Sequence, residues 1–407
     1  MPIGLNCVYV AVWKAGHEVV HIDLMTEEDW QSDIRETITS FNPDIIGISV
    51  RNVDDQNMEN PRFFLDQVKE IIAYFRRFSK APIVLSGAAY SIFPEEALDY
   101  LEADMGIQGE GELSFLILLD RFARSESLSD VPGLYLRGAG LQGKRIFEKK
   151  LDRFLLPGAR LSAFSISNKK EFMVPIQTRR GCPMTCSYCP TGIIEGRKIR
   201  KRKPDLIIEE IMDHVKAGFN QFFFVDNTFN IPEDYAKEIC RKIIESRLTI
   251  SWWCIVYPGM IDDELARLMA CAGCVEVSLE FESGSEQVLR KMNKKFSPAE
   301  ARETSEILRA AGIKQMGSLL LGGPGETKES VEESLEFADS LKLDSLKIIV
   351  GIRIYPDTAL AGTAIEEGLI KPDDNLLFPH FYVVPGLREW LYKTIHFWMK
   401  GRPNWSF

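Results

Sequence analysis

The sequence predicts an α/β protein with two successive series of strand–helix units, the first of which forms a Rossmann-like, doubly wound sheet. Short apolar runs alternate with stretches of helical periodicity along most of the 407 residues. Near-continuous apolar strands separated by helices are typical of parallel sheets that are covered on both faces. A segment with scattered glycines separates the two series. We therefore expect four parts: residues 1–135, a linker at 136–170, residues 171–365 and a tail at 366–407.

The first series predicts strands at 19–24, 45–50, 82–87 and 105–107. Helical periodicity indicates helices over 63–75 and 95–101. Ligands of parallel sheets bind at the carboxyl ends of the strands. The loops that follow these strands are 51–60, 87–91 and 109–112, so we expect any ligand of this part to bind there.

The second series predicts six strands, at 174–178, 222–225, 250–255, 275–279, 318–321 and 346–350. Helices are predicted over 205–216, 232–246, 262–272, 298–311 and 326–341. An aromatic-rich tail follows, with an amphipathic helix at 387–399. We expect this helix to pack on the second series and to contribute to a substrate site; contact with a membrane surface is the alternative.

Composition and charge are those of an ordinary globular protein, with 45% hydrophobic residues and a net charge of -10. An acidic total argues against a general nucleic-acid binder, because neutralising phosphates requires a basic field. No apolar stretch reaches the length of a membrane span, and the first residues do not have the pattern of a signal peptide. Eight cysteines in a chain of this length suggest a reducing compartment. We therefore expect a cytoplasmic protein.

Three cysteines, Cys182, Cys186 and Cys189, stand at spacing C-x3-C-x2-C after the first strand of the second series. Clustered thiolates suit iron and zinc, but a structural zinc site normally has four closed ligands in paired spacing. Three ligands in one loop would leave one iron of a [4Fe–4S] cluster open for a substrate or cosubstrate. Tyr188 would cover the cluster. The alternatives are buried structural cysteines or half of a zinc site.

This loop resembles the cluster motif of the radical S-adenosylmethionine (SAM) enzymes, in which the open iron chelates the amino and carboxylate groups of SAM. Four further segments are similar to that family in the same order, at residues 224–229, 278–294, 321–327 and 351–358. The resemblance implies that the second series is a partial (β/α)6 barrel. Catalytic parts of such barrels lie at the carboxyl ends of the strands.

The same resemblance implies the residues that bind SAM: Asp226, Ser278, Glu280, Glu282, Ser283, Gly322, Gly323 and Pro324. A carboxylate at a strand end can bridge ribose hydroxyls, and glycine lets the backbone approach a base edge. Tyr188 and Arg353 are the candidate catalytic residues. Arg353 would pair with a carboxylate or phosphate of the substrate, or alternatively form a salt bridge inside the barrel.

Segments 2–5, 16–19, 86–91, 94–96 and 109–112 are similar in order to the cobalamin-binding-type domain that precedes many radical SAM cores. The chain begins at the segment that follows the first strand of that domain, and it contains no Asp-x-His-x-x-Gly sequence. The resemblance therefore implies cobalamin without a protein histidine on cobalt. The predicted contacts are Asn52, Ser86, Gly87, Ala88, Gly109, Glu110 and Gly111. The alternative is a Rossmann-like domain without a cofactor.

Together these resemblances imply a class B methylase-like radical SAM enzyme. It would cleave SAM to a 5′-deoxyadenosyl radical and methylate an unactivated carbon with the help of cobalamin. The alternatives are a non-methylating radical SAM cyclase or rearrangement enzyme, and a non-enzymatic iron–sulfur or cobalamin sensor. The expected partners are a small-molecule, lipid or tetrapyrrole-like substrate and an electron donor such as flavodoxin or ferredoxin, but no nucleic acid.

Two further patterns are open to a functional interpretation. The basic run 197–203 has the composition of a nucleic-acid patch, but we favour a solvated loop with one arginine turned towards SAM. Cys271 and Cys274 have the spacing of a redox or metal pair, yet no second pair accompanies them. We interpret them as buried small apolar residues, and so expect a single cluster.

Overall fold

Two large sheets organise the chain. The computed structural model describes residues 2–24, 29–159 and 169–407. Within them, a five-stranded sheet uses residues 46–141 and a seven-stranded sheet uses residues 173–406, and helices flank both sheets. The fold is therefore of the α/β class, as the alternation of apolar runs predicts.

The first sheet has the strand order β1-β2-β3-β4-β5. Its strands are β1 (Ile46–Ser49), β2 (Ile83–Ser86), β3 (Met105–Ile107), β4 (Leu134–Leu136) and β5 (Gly140–Leu141). The first three are parallel, as expected, and β4 and β5 add an antiparallel hairpin. This hairpin lies across the boundary predicted at residue 135.

The strand predicted at 19–24 is wrong, because residues 17–24 contain no strand. In the described residues β1 is the edge of the sheet and pairs with β2 alone. Ile22 and Leu24 instead pack their side chains against the core of this sheet. The segment is therefore apolar because its side chains are buried, although its backbone does not pair with β1.

Six helices accompany the first sheet: α1 (Ile3–Lys14), α2 (Trp30–Phe41), α3 (Leu65–Arg76), α4 (Ala88–Ile92), α5 (Pro94–Leu101) and α6 (Gly111–Ala123). The helices predicted at 63–75 and 95–101 are confirmed. Asp29 caps α2 by accepting a hydrogen bond from the Ser32 amide at 3.1 Å. Helix α1 packs against α6, and a Cβ atom at Gly111 would lie only 2.9 Å from Val8 Cγ2.

The remaining strands are β6 (Met173–Ile176), β7 (Arg179–Arg180), β8 (Arg200–Lys201), β9 (Gln221–Phe224), β10 (Ser251–Val256), β11 (Cys274–Glu282), β12 (Lys314–Leu321), β13 (Ser345–Val350), β14 (Ile352–Arg353), β15 (Phe381–Tyr382) and β16 (Trp405–Ser406). The second sheet has the order β6-β9-β10-β11-β12-β13-β16, and all neighbours are parallel. Its first six strands are the six predicted ones. They form the expected partial (β/α)6 barrel.

The helices of this half are α7 (Thr191–Ile194), α8 (Pro204–Lys216), α9 (Glu233–Glu245), α10 (Asp263–Cys271), α11 (Glu286–Lys291), α12 (Pro298–Ala310), α13 (Lys328–Ser340), α14 (Ala359–Glu366) and α15 (Arg388–Met399); a short 3-10 helix spans Leu151–Arg153. The five predicted barrel helices are confirmed. Their starts follow local chemistry, because Asp262 and Thr327 cap α10 and α13, and Ser297 and Glu300 form a capping box at α12.

Burial alternates along the barrel strands, and this defines two faces of the second sheet. Buried residues such as Phe224, Trp252 and Leu279 pack with the surrounding helices into one core. The Trp252 ring lies 4.9 Å from that of Phe224, in an edge-to-face arrangement. The alternate residues of β10 and β11, among them Ser278 and Glu280, are half-buried and therefore lie on the opposite, inner face.

The aromatic tail packs on the barrel, as expected. Leu391 and Ile395 of α15 are fully buried in the barrel core, and β16 pairs with β13. The Trp398 and Trp405 rings stack at 6.1 Å, and Arg402 lies over both. Within the three described ranges, no helix combines the length and the apolar character needed to cross a membrane.

Candidate functional site

The three motif cysteines lie in one loop, residues 181–190, which we call the cluster loop. It connects β7 to α7 beyond the carboxyl end of β6. Cys182 and Cys186 are half-buried, Cys189 is exposed, and all three are free thiols. Burial raises the pKa of Cys182 to about 11 and also raises that of Cys186, and in each case the neighbouring cysteines add to the effect. Three adjacent thiolates are therefore unfavourable unless a cationic group binds between them.

An iron–sulfur cluster supplies such a group. In the described part of the chain, no three His, Cys, Asp or Glu side chains converge as ligands of one metal ion do. A four-iron cluster does not require that convergence, because each thiolate binds a different iron. The loop therefore fits the predicted cluster in its donor set.

Close backbone packing shapes the start of the cluster loop. Gly181 has a φ of +91°, and a Cβ atom there would clash with the carbonyl oxygen of Lys198. The Cys182 amide donates to the Gly196 carbonyl at 3.1 Å. The Gly181 amide donates to Glu195 Oε2 at 3.0 Å, and Asn227 Nδ2 donates to the same oxygen at 2.7 Å.

Glu195 is thus a supporting residue that sequence reasoning missed. Burial raises the pKa of its carboxyl group, although the hydrogen bonds from Gly181 and Asn227 oppose the rise. Its position six residues after Cys189, at the end of a four-residue helix, gave no signal in the sequence. The carboxylate joins the cluster loop to the end of β9.

A second group of side chains lies where β11 meets the cluster loop. The hydroxyl of Tyr188 donates to Glu282 Oε1 at 2.6 Å, and Lys294 Nζ donates to the same oxygen at 3.0 Å. Lys294 also lies 5.3 Å from the centre of the Tyr188 ring. Although burial opposes it, the Glu282 carboxylate raises the pKa of Lys294, so this lysine is charged. The predicted residues Tyr188 and Glu282 are therefore brought together.

The backbone at Glu282 is unusual for a residue with a side chain. Its φ is +62°, at a point where the register between β11 and β12 shifts. Left-handed backbone is rare outside glycine, and where it occurs it is often associated with functional sites. The turn directs the Glu282 carboxylate to Tyr188 and Lys294. Lys294 was not among the predicted site residues. It lies in the segment 278–294 that resembles the radical SAM enzymes, and its positive charge is the feature of the sequence that could have indicated its role.

Glu280 lies two residues earlier on the inner face. It accepts a hydrogen bond from Ser278 Oγ at 2.6 Å. Burial, and then the negative charge of Glu282, raise its pKa. Ser278, Glu280 and Glu282 therefore interact with one another along β11, and their contacts with SAM remain a prediction.

Asp226 and Ser283 are held inside the protein. The Asp226 carboxylate accepts from the Thr178 amide at 2.8 Å and from its hydroxyl at 2.6 Å, and it also accepts from the Arg179 amide. Ser283 Oγ lies 2.8 Å from Ser334 Oγ. The two predicted residues are 1% and 0% exposed. Both therefore support the framework of the site, and a cofactor contact for either remains a prediction.

The glycine-rich segment after β12 closes around a carboxylate. The amides of Gly322 and Gly323 both donate to Glu326 Oε2, the latter at 3.0 Å. Burial raises the pKa of Glu326 to about 7. Its Oε1 atom has no hydrogen-bond partner among the described residues. A Cβ atom at Gly323 would lie 2.9 Å from Met292 Cε, so the space beside Gly323 is filled by the protein itself.

Arg353 forms a salt bridge, but its partner lies outside the barrel. Its Nε atom is 2.8 Å from Asp54 Oδ2, and its other nitrogens donate to the carbonyls of Ile354, Leu376 and Leu377. The side chain of Arg353 is 2% exposed. This pair joins the end of the barrel to the loop 51–60 of the first sheet. A catalytic role for Arg353 remains a prediction.

The predicted contacts of the first sheet lie mostly at one edge. Asn52 is exposed in the loop after β1, Ser86 ends β2, and Ala88 begins α4. Gly87 has a φ of +104°, and a Cβ atom there would lie 2.5 Å from the Val50 carbonyl oxygen. The Gly109 amide donates to Ser91 Oγ at 2.9 Å. We call the space beside these residues the crevice.

Glu110 has different neighbours. Its carboxylate pairs with Arg200 and accepts from the Glu148 amide at 2.9 Å.

The interpretation of the basic run 197–203 as a solvated loop is wrong for two of its arginines, since Arg200 and Arg202 are 7% and 2% exposed. Arg202 donates to the carbonyls of Leu151 and Phe154. Paired, buried guanidinium groups do not form a nucleic-acid patch.

The second cysteine pair differs from expectation at one position. Cys274 is buried as predicted, but Cys271, the last residue of α10, is exposed. It lies on the outer side of a helix end, where nothing covers it in the described structure. The pair therefore does not form one buried unit.

Both halves of the chain are similar to known protein families. The model of the radical SAM superfamily matches residues 176–338, and that of the B12 binding domain matches residues 1–119. The chain is 27% identical over 377 residues to "Uncharacterized methyltransferase PH0819" of Pyrococcus horikoshii, covering 91% of this chain and 79% of that protein.

The chain is also 26% identical over 350 residues to the anaerobic magnesium-protoporphyrin IX monomethyl ester cyclase of Rubrivivax gelatinosus, covering 80% of this chain and 60% of the cyclase. Among solved structures, the radical S-adenosylmethionine methyltransferase TsrM from Kitasatospora setae, with cobalamin and a [4Fe–4S] cluster bound, matches with a TM-score of 0.79 at 22% identity. That match covers 90% of this chain and 72% of TsrM, and it shows a common fold.

Proposed function

The chain belongs to the radical SAM superfamily and carries a B12-binding domain, and from this premise we propose that it is a cobalamin-dependent methyltransferase acting on an unactivated carbon. It is an enzyme of the radical SAM type. The observation that carries the proposal is the Arg353–Asp54 salt bridge, which joins the carboxyl end of the barrel to the loop 51–60 beside the crevice. This contact brings the loop 51–60 to the end of the barrel at which the cluster loop lies.

Three cofactors follow from the proposal. Cys182, Cys186 and Cys189 would hold a [4Fe–4S] cluster, the inner face of β11 with Gly322 and Gly323 would bind SAM, and the crevice would bind cobalamin. When bound, the cluster and SAM supply hydrogen-abstracting radical chemistry, and cobalamin supplies a methyl group. Electron donors such as flavodoxin or ferredoxin would provide the reducing electron.

The residues of the chain bind and orient these groups. Lys294 places a positive charge beside Cys186 and lowers the cost of a thiolate there, against the effect of burial. Glu282 fixes both Lys294 and the Tyr188 hydroxyl, so the tyrosine side chain is held at the end of β11. Met292 packs beside Gly323, and this apolar contact excludes water from the glycine-rich segment.

The test is a label-transfer experiment. The protein is reconstituted anaerobically with iron, sulfide and hydroxocobalamin, and incubated with methyl-deuterated SAM, reduced flavodoxin and a pool of small metabolites. We expect 5′-deoxyadenosine and a product that carries the deuterated methyl group. The Cys186→Ala variant, treated in the same way, should give neither. Wild-type protein that produces no 5′-deoxyadenosine would overturn the assignment.

A second candidate is a radical SAM cyclase or rearrangement enzyme that transfers no methyl group. The similarity to the magnesium-protoporphyrin IX monomethyl ester cyclase favours it. The same experiment separates the two. Formation of 5′-deoxyadenosine together with an unlabelled product of altered mass would support the second candidate and exclude methylation.

A further inference from the structure

Four charged side chains meet where the B12-binding domain contacts the radical SAM domain. Glu110 and Glu112 stand at the start of α6 in the first domain, and Arg180 and Arg200 stand on the paired strands β7 and β8 in the second. Arg180 Nη2 is 2.5 Å from Glu112 Oε1, and its Nη1 is 3.2 Å from Oε2. Arg200 pairs with Glu110, which also lies 3.8 Å from Arg180.

The four side chains are only 4–9% exposed, and their formal charges sum to zero. Burial would raise the pKa of Glu112, but the Arg180 guanidinium outweighs this and lowers it, so the pair is ionic. A two-pronged arginine–carboxylate pair has a fixed planar geometry. The Arg180–Glu112 pair therefore restricts the relative placement of the two domains.

On one side this network is continuous with the cluster loop. Arg180 directly precedes Gly181, and Arg180 and Arg200 are opposite each other in the β7–β8 ladder. Arg200 Nη2 also donates to the Glu195 carbonyl at 2.7 Å. The carboxylate of Glu195 holds the Gly181 amide. Both arginines are thus fixed to the backbone from which the cluster cysteines extend.

On the other side the network is continuous with the crevice. Gly109, whose amide is held by Ser91 Oγ, immediately precedes Glu110. The segment 109–112 therefore has two sides. Gly109 lies on the crevice side, whereas the two carboxylates extend to the radical SAM domain.

We propose that Glu110 and Glu112 are positioning residues, which fix the distance between a corrinoid in the crevice and the cluster in the cluster loop. This inference rests on the proposed function and replaces the predicted role of Glu110 as a corrinoid contact. Removing one partner of a buried pair leaves an uncompensated charge. The domains then shift or loosen to admit water to that charge, and the separation of the two cofactors changes with them.

The test measures that separation directly. Wild type, Glu110→Gln, Glu112→Gln and Asp120→Asn are reconstituted with the cluster and hydroxocobalamin, and both centres are reduced to paramagnetic states. Pulsed EPR then gives the dipolar coupling between Co(II) and the reduced cluster. Asp120 is the matched control, since it lies on α6 and pairs on the surface with Arg124, the residue that follows this helix.

We expect a narrow coupling in wild type and in Asp120→Asn, and a shifted or broadened one in both glutamate variants at unchanged iron and corrinoid content. A wild-type coupling in both glutamate variants would overturn the inference. If Glu112→Gln does not fold, Glu110→Gln decides alone, because it leaves the Arg180–Glu112 pair intact.

Failure of the proposed function has a separate signature. Wild-type protein that retains no corrinoid would overturn that function, and hydrogen exchange of the protein without cofactors then tests the interface. Faster exchange over residues 179–202 in Glu110→Gln, but not in Asp120→Asn, would keep the two carboxylates as residues that hold the domains together. Equal exchange in the two variants would remove that role as well.

Discussion

At the scale of single residues, the cluster loop carries three thiols that differ in their surroundings. Cys182 and Cys186 are half-buried, whereas Cys189 is exposed and its thiol lies 3.1 Å from the Thr191 hydroxyl. Burial disfavours the first two thiolates, so both depend on a bound cation for their ionised form. In the absence of a cation the cysteines of the cluster loop are therefore stable as thiols, and the loop binds a metal when these thiols ionise.

We therefore predict that Cys182→Ala, Cys186→Ala and Cys189→Ala each prevent assembly of the cluster. Each substitution removes the ligand of one iron, and two thiolates do not hold the cube. Iron and sulfide would be counted after anaerobic reconstitution. Cys271→Ala is the matched control, because Cys271 is also free and exposed, and it should retain about four irons per chain. Loss of iron in that control would contradict a single cluster.

A second residue-scale prediction concerns pH. Burial raises the pKa of Glu326 to about 7, above its unfolded value, so the folded state binds a proton more tightly than the unfolded state. Tighter proton binding by Glu326 stabilises the folded state. This contribution to the free energy of unfolding is fully present below about pH 4.5 and is lost as the pH rises to about 7. In Glu326→Gln, whose amide oxygen still accepts from Gly322 and Gly323, this loss should be absent.

Urea denaturation between pH 5 and pH 8 checks the prediction. The wild type should lose up to ~3 kcal/mol of unfolding free energy more than the glutamine variant across that interval. Equal slopes in the two proteins would show that Glu326 ionises normally.

At the scale of elements, the sequence predicted the strands and helices of the barrel closely because their signals are local. Apolar runs such as 222–225 and capped helices such as Asp263–Cys271 can be recognised from their own residues. Two-residue strands such as β14 and β16 were not predicted, since they depend on a partner far along the chain. The strand expected at 19–24 did not form for the converse reason, because no strand among the described residues pairs with it.

The difference between local signals and contacts of distant residues also applies to the candidate functional site. The cysteine spacing and the segments around Glu282 and Gly323 are local patterns, and they located one end of the barrel correctly. Contacts between distant segments could not be predicted from the sequence. The pairing of Arg353 with Asp54, of Arg200 with Glu110 and of Gly181 with Glu195 joins residues whose spacing carries no periodic signal.

One element-scale prediction follows from the start of the cluster loop. Gly181→Ala should lower the iron content after reconstitution, because the new Cβ clashes with the Lys198 carbonyl and the φ of +91° is unfavourable for alanine. Gly192→Ala is the matched control. A Cβ atom at Gly192 would make ordinary contacts of 3.5 Å with Arg197, and alanine is the better helix former in α7. Equal iron content in the two variants would show that the loop tolerates a different path.

At the scale of the whole molecule, buried ion pairs cross between the domains at two places. Arg180–Glu112 lies beside the cluster loop, and Arg353–Asp54 lies beside the loop 51–60. The second contact also brings Tyr355 and Leu377 into the apolar core of the first sheet. The domains are therefore joined at two points, one beside the cluster loop and one beside the loop 51–60.

The last prediction tests whether the second contact holds the domains together. Asp54→Asn should cost about 3–5 kcal/mol, because it leaves the Arg353 guanidinium buried without its counter-charge. Glu102→Gln is the matched control, since its pair with Lys69 lies on the surface, with side chains 67% and 42% exposed, and its loss should leave the unfolding free energy almost unchanged. Urea denaturation followed by tryptophan fluorescence measures both. Similar small losses in the two variants would mean that Arg353 finds water or another partner when Asp54 is neutral. The apolar contacts of Tyr355 and Leu377 would then suffice to hold this end of the barrel against the first sheet.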